Sequence, residues 1–416
     1  MSEWISAKLG DFLKIHHGFA FPGESMNDGL TGKPIIVSIG NFNYSGGFRF
    51  DSTRIREFRG EYPKEFELSP GDLLVVMTCQ TSGGEILGIP GVIPNDGRVY
   101  LHNQRIGRVE CDEERLSRKF AYYLFLTAEV NRQLFSTASG TKILHTSPTR
   151  IEQVECRIPP VREQARIAEV LGVLDEKIAV DARIGKVTQE LLSRLFASRV
   201  WDYSREGAMP TGFVQGSVQD LCERIGNGGT PKRRNPQYWE GGDIAWYKTG
   251  ELLDGPLLGS AERITVTGVR ESSCSVWPAG TVLVALYASP TVGRLGILDE
   301  PAAFNQACSG LIAKSAFGEL VLFESIKATR DRLQSLAVGS AQQNISQRVL
   351  AQHRIVVPTA EAAASFREVA EPLHRRRIIA AMEARVLAGL RDTILPQLMS
   401  GRLRVKDAEK IVEDAT

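Results

Sequence analysis

The chain has 416 residues, of which 50 are Lys or Arg and 49 are Asp or Glu, so its formal net charge is +1. This length allows two domains with full cores plus connecting helices, and a hydrophobic content of 43% with 24% charged residues is that of an ordinary globular protein. The charge balance excludes attraction of nucleic acid by the field of the whole protein, so any such binding must come from local basic clusters.

The sequence carries no pattern for export or for a membrane. No run of 18 apolar residues occurs and the N-terminal residues do not form a signal peptide, so we expect a cytoplasmic protein without membrane contact. The two nearest cysteines, Cys79 and Cys111, are far apart in sequence. This spacing excludes CxxC-type zinc or redox motifs, and we expect the six cysteines to be small buried hydrophobes.

The chain contains an internal duplication. A period of about 200 residues is too long for a solenoid and indicates two copies of one module. Two similar modules on one chain usually address two similar targets. Three segments recur in the same order: Pro70–Val76 recurs as Ala279–Ala285, Asn103–Gln104 as Asn305–Gln306, and Ile158–Pro159 as Val357–Pro358.

Each copy has the same order of predicted elements. A short strand with a capped helical turn comes first, then an apolar run typical of a buried strand, and then a segment with helical periodicity. Both modules are therefore predicted to be α+β, with strands dominating. The paired segments are Trp4–Phe12 and Phe213–Leu221, Leu73–Met77 and Val282–Leu286, and Phe120–Phe135 and Leu320–Leu336.

Each copy ends in a long helix, predicted over residues 162–200 and 361–398. In the first helix the apolar positions have coiled-coil spacing, and past Asp181 their phase shifts, which predicts a stutter. Pro372 lies inside the second helix and predicts a kink or a later start. The predicted apolar positions are Ile167, Leu171, Leu174, Ile178, Ile184, Val187, Leu191 and Leu195 in the first helix, and Phe366, Val369, Leu373, Ile379, Met382, Val386 and Leu390 in the second.

Neither helix can bury its apolar stripe alone. We expect the two helices to bury it against each other in antiparallel orientation, with part of it left for a partner. The alternative is two unrelated surface helices, each packed on its own module. The predicted segments are a first domain at 1–158, a central helix at 159–205, a second domain at 206–357 that begins with a linker at 206–212, a C-terminal helix at 358–406 and a polar, frayed tail at 407–416.

The sequence contains no catalytic constellation. Asn235–Tyr238 resembles the Asn-Pro-Pro-Tyr motif of amino-methyltransferases, but Gln237 replaces the second proline and no glycine-rich S-adenosylmethionine loop lies upstream. Gly29–Lys33 is too short for a phosphate-binding P-loop. The histidines form no pair at metal spacing. We therefore expect a recognition or scaffold protein that is not an enzyme and holds no metal.

Polar, glycine-rich loops at matching places in both copies are suited to nucleic acid. Gly226–Arg234 combines flexible backbone, which can approach phosphates, with three consecutive cations, and arginine can bind guanine edges. Each loop taken singly can equally be a solvated turn, but recurrence favours a shared binding face, and the different loop sequences suggest different targets. The candidate DNA-contacting residues are Thr78, Gln80, Ser82, Thr141, Lys142, Thr230, Lys232, Arg233, Arg234, Tyr287, Ser289, Arg294, Gln342 and Asn344.

Two helix motifs and two loop motifs carry a resemblance to a known family. They are Ile158–Leu171, Leu390–Leu403, Gly229–Pro231 and Asn344–Gln347. With these motifs the chain resembles, over essentially its whole length, the specificity subunit of type I restriction-modification enzymes, often called HsdS. The second copy departs from the first pattern because Thr359–Ala363 replaces the Pro-Val-Arg-Glu-Gln segment that opens the first helix.

The resemblance implies that each module is a target-recognition domain for one half of a bipartite site in double-stranded DNA, with the two modules in a pseudo-two-fold arrangement. It also implies that the antiparallel helices separate the modules and dock two methyltransferase subunits. S-adenosylmethionine, ATP and Mg²⁺ are expected on the methyltransferase and motor–nuclease partners, and no cofactor is expected on this chain. The expected docking residues are Ile167, Leu171, Leu174, Ile178, Ile379, Met382, Val386 and Leu390.

Three alternatives remain open at this stage. The chain could be a solitary methyltransferase or nuclease with a degenerate motif, which binding of S-adenosylmethionine to the isolated chain would reveal. It could be a protein-interaction scaffold, which a test of binding to random duplex DNA would distinguish. It could also be the recognition subunit of another phage-defence methyltransferase system, which the neighbouring genes would identify.

Overall fold

The computed structural model describes residues 4–50, 55–202, 209–287, 291–337 and 344–415. The chain forms two compact units, one of residues 1–177 with 387–416 and the other of residues 178–386. Both divisions fall inside long helices, so each unit contains part of each long helix. The five predicted segments assigned each long helix to a segment of its own. That division of the chain stays a prediction.

The first unit combines β-sheets with short helices, the beginning of the first long helix and the end of the second. Its strands are β1 Ile5–Lys8, β2 Leu13–His17, β3 Met26–Asp28, β4 Ile35–Ile36, β5 Arg56–Phe58, β6 Glu67–Leu68, β7 Leu73–Val76, β8 Thr78–Cys79, β9 Pro90–Val92, β10 Tyr100–Leu101, β11 Ile106–Cys111, β12 Leu144–His145 and β13 Glu155–Ile158. Its helices are α1 Arg118–Phe125, α2 Ala128–Thr137, α3 Pro148–Glu152 and the first part of α4 Val161–Arg199.

The second unit repeats this composition. Its strands are β14 Val214–Ser217, β15 Cys222–Asn227, β16 Ile244–Tyr247, β17 Gly255–Leu257, β18 Glu262–Ile264, β19 Val282–Ala285, β20 Leu295–Leu298, β21 Ala303–Phe304, β22 Cys308–Ala313 and β23 Arg354–Val357. Its helices are α5 Val218–Leu221, α6 Val266–Arg270, α7 Glu319–Ala328, α8 Arg330–Ser335, α9 Gln347–Ala351 and the first part of α10 Ala360–Met399; a final helix, α11 Val405–Glu413, belongs to the first unit.

The sheets of the two units share their central order. The first unit has the order β2-β11-β7-β9 and the second β15-β22-β19-β20-β17, and a strand pair, β1 with β13 or β14 with β23, precedes each long helix. The register also agrees, because Val75 pairs with Gly107 and the corresponding Val284 pairs with Ser309. The central strands β7 and β19 are fully buried, as their continuous apolar sequences predict. The predicted duplication and the α+β class are confirmed.

The two predicted internal helices are each interrupted by a threonine. The segment predicted over 120–135 divides into α1 and α2 at Thr127, whose hydroxyl donates to the carbonyl of Leu124 at 2.7 Å. The segment predicted over 320–336 divides into α7 and α8 at Thr329, whose hydroxyl donates to the carbonyl of Ser325 at 2.8 Å. Bonding of a hydroxyl to the preceding turn competes with the backbone hydrogen bonds that would continue the helix.

The long helices pack together in antiparallel orientation within each unit. In the first unit Asp175 on α4 bonds with Arg391 near the end of α10. In the second unit the ring of Phe196, near the end of α4, lies 5.6 Å from that of Phe366, near the start of α10. The antiparallel packing predicted from the apolar stripes is therefore confirmed, and the alternative of two unrelated surface helices is wrong.

The predicted stutter in α4 is wrong. The buried stripe of Ile167, Leu171 and Leu174 continues at Asp181 and Thr188, and then at Leu192 and Phe196. Successive positions lie 4, 3, 7, 7, 4 and 4 residues apart, so the heptad phase is unchanged through Asp181 and Thr188, where the shift was predicted. Val187 and Leu191, which were predicted to line the stripe, are 54% and 41% exposed.

The predicted apolar positions of α10 are partly wrong as well. Phe366 is buried, but Ile379, Met382 and Val386 are 42%, 50% and 66% exposed. The helix runs from Ala360 to Met399 without interruption, so the later start predicted from Pro372 did not occur. The residues of α10 that are buried instead are Ala363, Ala370, His374, Arg377, Ala380, Leu387, Arg391, Ile394, Leu395, Leu398 and Met399.

The C-terminal residues are not a frayed tail. They form α11, which buries Val405, Ala408 and Val412 on one face, at the spacing of an amphipathic helix. Arg166 on α4 donates to Glu409 of this helix at 2.8 Å. The predicted linker at 206–212 begins outside the described residues. No helix in the described ranges is both long and apolar enough to span a bilayer.

Candidate nucleic-acid interface

The Asn-Gln pairs that recur in sequence form the same turn in both units. The side-chain oxygen of Asn103 accepts a hydrogen bond from the N–H of Arg105 at 3.0 Å, and that of Asn305 accepts one from the N–H of Ala307 at 3.2 Å. Asparagine favours such turns because its amide can bond to the backbone two residues further on. The turn leads into the central strand that follows, β11 or β22.

A glycine in each unit allows another loop to lie against this turn. A Cβ atom on Gly18 would come within 2.2 Å of the carbonyl oxygen of Asn103, and one on Gly228 within 2.1 Å of that of Phe304. Only glycine permits so close an approach of two backbones. In the second unit Thr230 also donates its hydroxyl to the side chain of Gln306. The Asn-Gln turn therefore supports the loop that carries the three consecutive cations.

The other predicted loops lie next to each other within each unit. Thr78 and Cys79 pair with His145 and Leu144, so the loop after β7 adjoins the hairpin that contains Thr141 and Lys142. In the second unit Tyr287, which follows β19, pairs with Asn344. Each unit therefore brings together two loops that are distant in sequence. Ser289 and Gln342 lie outside the described residues.

The first unit presents four of its five predicted residues at the surface. Gln80, Ser82, Thr141 and Lys142 are exposed. Thr78 is buried, and its hydroxyl lies 3.1 Å from Nδ1 of His145. This side chain therefore joins the two loops beneath their surface, and its predicted contact with DNA stays a prediction that its burial does not support.

The loops of the first unit are fixed by side chains that the sequence did not single out. Asn131 on α2 donates to the carbonyls of Gly84 and Leu87 at 3.1 and 2.9 Å. Arg150 on α3 donates to the hydroxyl of Ser139 at 3.2 Å. His145 is exposed in the same hairpin as Lys142 and is a further candidate contact. Its only sequence signal was its place in a polar segment before the long helix.

The three consecutive cations of the second unit are in different surroundings. Lys232, Arg233 and Arg234 are all exposed, but they differ in their partners. The guanidinium of Arg233 lies 3.9 Å from the ring centroid of Trp239 and bonds with Glu262. Elsewhere in this unit Tyr287 is exposed, whereas Arg294 is half-buried. From sequence all three cations were predicted to contact DNA, and the structure gives Arg233 aromatic and acidic partners within the chain.

Gly29–Lys33, which was rejected as a P-loop, encloses a carboxylate of the chain itself. Oε1 of Glu57 accepts the N–H groups of Thr31, Gly32 and Lys33 at 2.7, 2.9 and 3.1 Å. The hydroxyl of Thr31 bonds to the other carboxylate oxygen and, together with these N–H groups, lowers the pKa of Glu57. This anion site is therefore filled by the chain itself.

The cysteines are poorly suited to chemistry. All six are free, and burial raises the pKa of Cys111, Cys156 and Cys222 to about 12. A thiol with so high a pKa is neither a nucleophile nor a ready metal ligand, since both roles need the thiolate. Among the described residues no group of three His, Cys, Asp or Glu side chains is placed to hold a metal ion.

Comparison with known proteins assigns this architecture to a family. The family model described as the type I restriction modification DNA specificity domain matches residues 1–188 and 210–366, one match for each copy of the repeat. The chain belongs to the HsdS family of type I restriction-modification specificity subunits. The resemblance carried by the helix motifs and the Gly-Thr-Pro loop is confirmed.

Individual HsdS relatives are distant in sequence but similar in length. The HindI specificity subunit of Haemophilus influenzae is 19% identical, with 97% of this chain and 100% of that protein covered. The MjaVIII specificity subunit of Methanocaldococcus jannaschii is 22% identical over 97% and 94% of the two chains. The crystal structure of the type I S subunit from M. genitalium matches with a TM-score of 0.58 at 14% identity over 95% of this chain and 96% of that one. At this sequence identity, the match to the solved structure shows a similar fold.

Proposed function

We propose that this HsdS chain recognises a bipartite sequence in double-stranded DNA, with each unit contacting one half of the site. The main support is that both units place the loop after the central buried strand against the segment before the long helix, at Thr78–His145 and at Tyr287–Asn344. A repeated fold with different side chains on equivalent loops is suited to two different half-sites. The hydrogen bonds that fix these loops limit the entropy lost on binding.

The exposed part of the loops has the chemistry that DNA recognition requires. Gln80 and Thr141 carry groups that can bond to base edges, and Lys142 can bond to guanine or to phosphate. Because the net charge of the chain is +1, such local groups must supply the attraction to DNA. The proposal therefore assigns affinity and specificity to the same small set of loops.

We further propose that the long helices dock two methyltransferase subunits. Ile167, Leu171 and Leu174 were expected to take part, but they are fully buried within the first unit and stabilise this chain instead. Exposed apolar residues on the helices are better candidates: Val180, Val187 and Leu191 on α4, and Ile379, Met382 and Val386 on α10. Exposed apolar groups on a helix commonly mark a contact with another protein. Ile178 and Leu390 are half-buried.

The chemistry of restriction and modification is assigned to the partner subunits. S-adenosylmethionine would bind the methyltransferases, and ATP and Mg²⁺ would bind the motor–nuclease subunits. The buried thiols and the Glu57-filled loop support a chain without catalysis of its own. A protein-interaction scaffold is the remaining alternative, and it predicts no preference among DNA sequences.

A selection experiment tests the proposal. The chain, purified with its methyltransferase partners, is incubated with a pool of random duplexes, and the retained DNA is sequenced. The expected result is enrichment of two short motifs separated by a spacer of fixed length without sequence preference. Retention of DNA without sequence enrichment would contradict the proposal. The methyltransferases alone serve as the control.

A further inference from the structure

The side chain of Arg233 packs on two tryptophans and pairs with an acid, while 50% of it stays exposed. Its guanidinium carbon lies 3.9 Å from the ring centroid of Trp239 and 4.7 Å from that of Trp246, and the two rings meet edge to face at 5.1 Å. Its Nη1 bonds to one carboxylate oxygen of Glu262, and Lys248 donates to the other oxygen at 2.5 Å. We call Arg233, Trp239, Trp246 and Glu262 the arginine cluster.

The same tryptophans also hold the backbone of the loop. Trp246 donates from Nε1 to the carbonyl of Gly229 at 2.9 Å, and Trp239 donates to the carbonyl of Lys232 at 3.3 Å. The thiol of Cys274 is a second donor to Gly229, at 3.3 Å. The main chain is therefore fixed on the N-terminal side of Arg233, and the cluster fixes the side chain of Arg233 itself.

The charge of Arg233 is already paired with a carboxylate of the chain. Hydrogen bonds from Arg233 and Lys248 hold the pKa of Glu262 below its ordinary value, so the carboxylate is ionised and pairs with both cations. Planar stacking on aromatic rings combined with a carboxylate partner is an arrangement that arginine favours over lysine. A DNA phosphate would have to compete with Glu262 for Nη1 of this guanidinium.

We propose that Arg233 is a positioning residue and that its neighbours Lys232 and Arg234 are the cations that contact DNA. This inference rests on the proposed function and assigns roles within one of its loops. All three cations are exposed, but the side chain of Arg233, between the other two, is held by Glu262 and Trp239. The corresponding loop of the first unit, Gly18–Gly23, contains no lysine or arginine, so this device belongs to the half-site of the second unit.

The salt dependence of binding separates the two roles. Each lost phosphate contact should reduce the slope of log affinity against log salt by roughly one. We expect this for Lys232→Ala and Arg234→Ala, or relaxation of one base pair in the half-site of the second unit if the contact is to a base. For Arg233→Ala we expect about tenfold weaker binding to the recognised duplex, equivalent to one misplaced contact, with an unchanged salt slope.

Two further variants keep the test decisive if Arg233→Ala folds poorly. Arg233→Lys retains the charge but not the planar stacking, so binding should stay weakened at an unchanged slope. Glu262→Gln removes the carboxylate partner and should weaken binding in the same way. Tryptophan fluorescence provides a second readout, because Arg233→Ala should shift the emission of Trp239 and Trp246, whereas Arg234→Ala should not.

The measurement uses the chain in complex with its methyltransferase partners. The inference is overturned if Arg233→Ala reduces the salt slope as much as Arg234→Ala does, if Arg233→Lys binds like the wild type, or if neither Lys232→Ala nor Arg234→Ala affects binding. It is also overturned if Arg233→Ala leaves affinity unchanged. A wild-type complex that shows no sequence preference would instead contradict the proposed function itself, so the two failures are distinguishable.

Discussion

Arg391 on α10 donates from Nη1 to Oδ1 of Asp175 on α4 at a distance of 2.9 Å. The hydroxyl of Tyr123 on α1 donates to the other oxygen of the same carboxylate at 2.8 Å. Asp175 thus joins three helices of the first unit through charged hydrogen bonds in a mostly buried setting. The second unit has a similar joint made of different residues, in which Arg377 on α10 bonds to Gln189 and to the carbonyl of Asp254.

Breaking the joint of the first unit should destabilise it strongly. In Asp175→Asn the guanidinium of Arg391, of which only 11% is exposed, loses the charge of its partner on α4 and keeps only the exposed Asp392 on its own helix. Loss of one of two charged hydrogen-bond partners of a mostly buried guanidinium costs about 1–3 kcal/mol. Urea denaturation measures the loss. Glu271→Gln, which breaks a more exposed pair with Arg270, is the control and should change stability by less than about 1 kcal/mol. Equal effects of the two substitutions would refute a structural role for Asp175.

The burial pattern of α4 predicts opposite effects on stability for substitutions at one leucine, Leu171, and one valine, Val187. Leu171→Asp places a charge in the core of the first unit and should prevent folding of that unit, since burial of an unpaired charge costs several kcal/mol. Val187→Asp changes a side chain that is 54% exposed and should leave the chain folded. Circular dichroism and thermal unfolding measure both. A Val187→Asp chain as unstable as Leu171→Asp would restore the shifted phase that the sequence suggested.

The sequence predicted those features that depend on local pattern. The duplication, the buried strands Leu73–Val76 and Val282–Ala285, and the long helices follow from apolar runs and periodicity. The phase of α4 does not, because Asp181 and Thr188 occupy buried positions where apolar residues are expected. A prediction from hydrophobicity therefore followed the exposed Val187 and Leu191 instead. Polar residues at such positions are tolerated when they have partners, which the sequence alone does not identify.

The candidate site, too, could be predicted from sequence only in part. The loops could be located because they recur at equivalent places in both copies, and the pairing of Tyr287 with Asn344 agrees with that placement. The roles of single residues depend on distant partners. Thr78 is buried against His145, and the guanidinium of Arg233 packs on Trp239. Neither contact follows from spacing along the chain.

Buried histidine makes the stability of the first unit depend on pH. Burial, more than any charge nearby, lowers the pKa of His102 to about 4, and its Nε2 lies 2.8 Å from the carbonyl of Ile106. Between the ordinary pKa of histidine and this value the unfolded chain binds a proton that the folded chain does not, so stability falls as the pH falls through that range. The loss from this group should reach about 2 kcal/mol at pH 5 relative to pH 7.

His102→Gln tests this account, because glutamine can keep the hydrogen bond to Ile106 without titrating. The variant should lose less stability than the wild type between pH 7 and pH 5. A nuclear magnetic resonance titration of His102 gives the direct measurement. Protonation of this ring near pH 6.5 in the folded chain would show that burial does not suppress its charge.

The exposed apolar residues of α10 should be needed for the partner and not for the fold. Met382→Asp combined with Val386→Asp places charges on a surface proposed to contact the methyltransferase, where they would remain buried and unpaired in the complex. We expect loss of co-purification with the methyltransferase while thermal unfolding is unchanged. Val266→Asp, at an exposed valine on α6 of the second unit, is the matched control. Normal assembly of the double variant would exclude this surface as the docking site.

Methylome sequencing of cells that express this chain with its partner subunits tests the central claim most directly. The account predicts methylation of one bipartite motif with two defined halves and an unspecified spacer. It also predicts that substitution of Lys232 and Arg234 by alanine alters or weakens only one of the two halves, since both residues belong to the second unit. Methylation without a bipartite motif, or a change of bases in both halves of the motif, would contradict independent recognition by the two units.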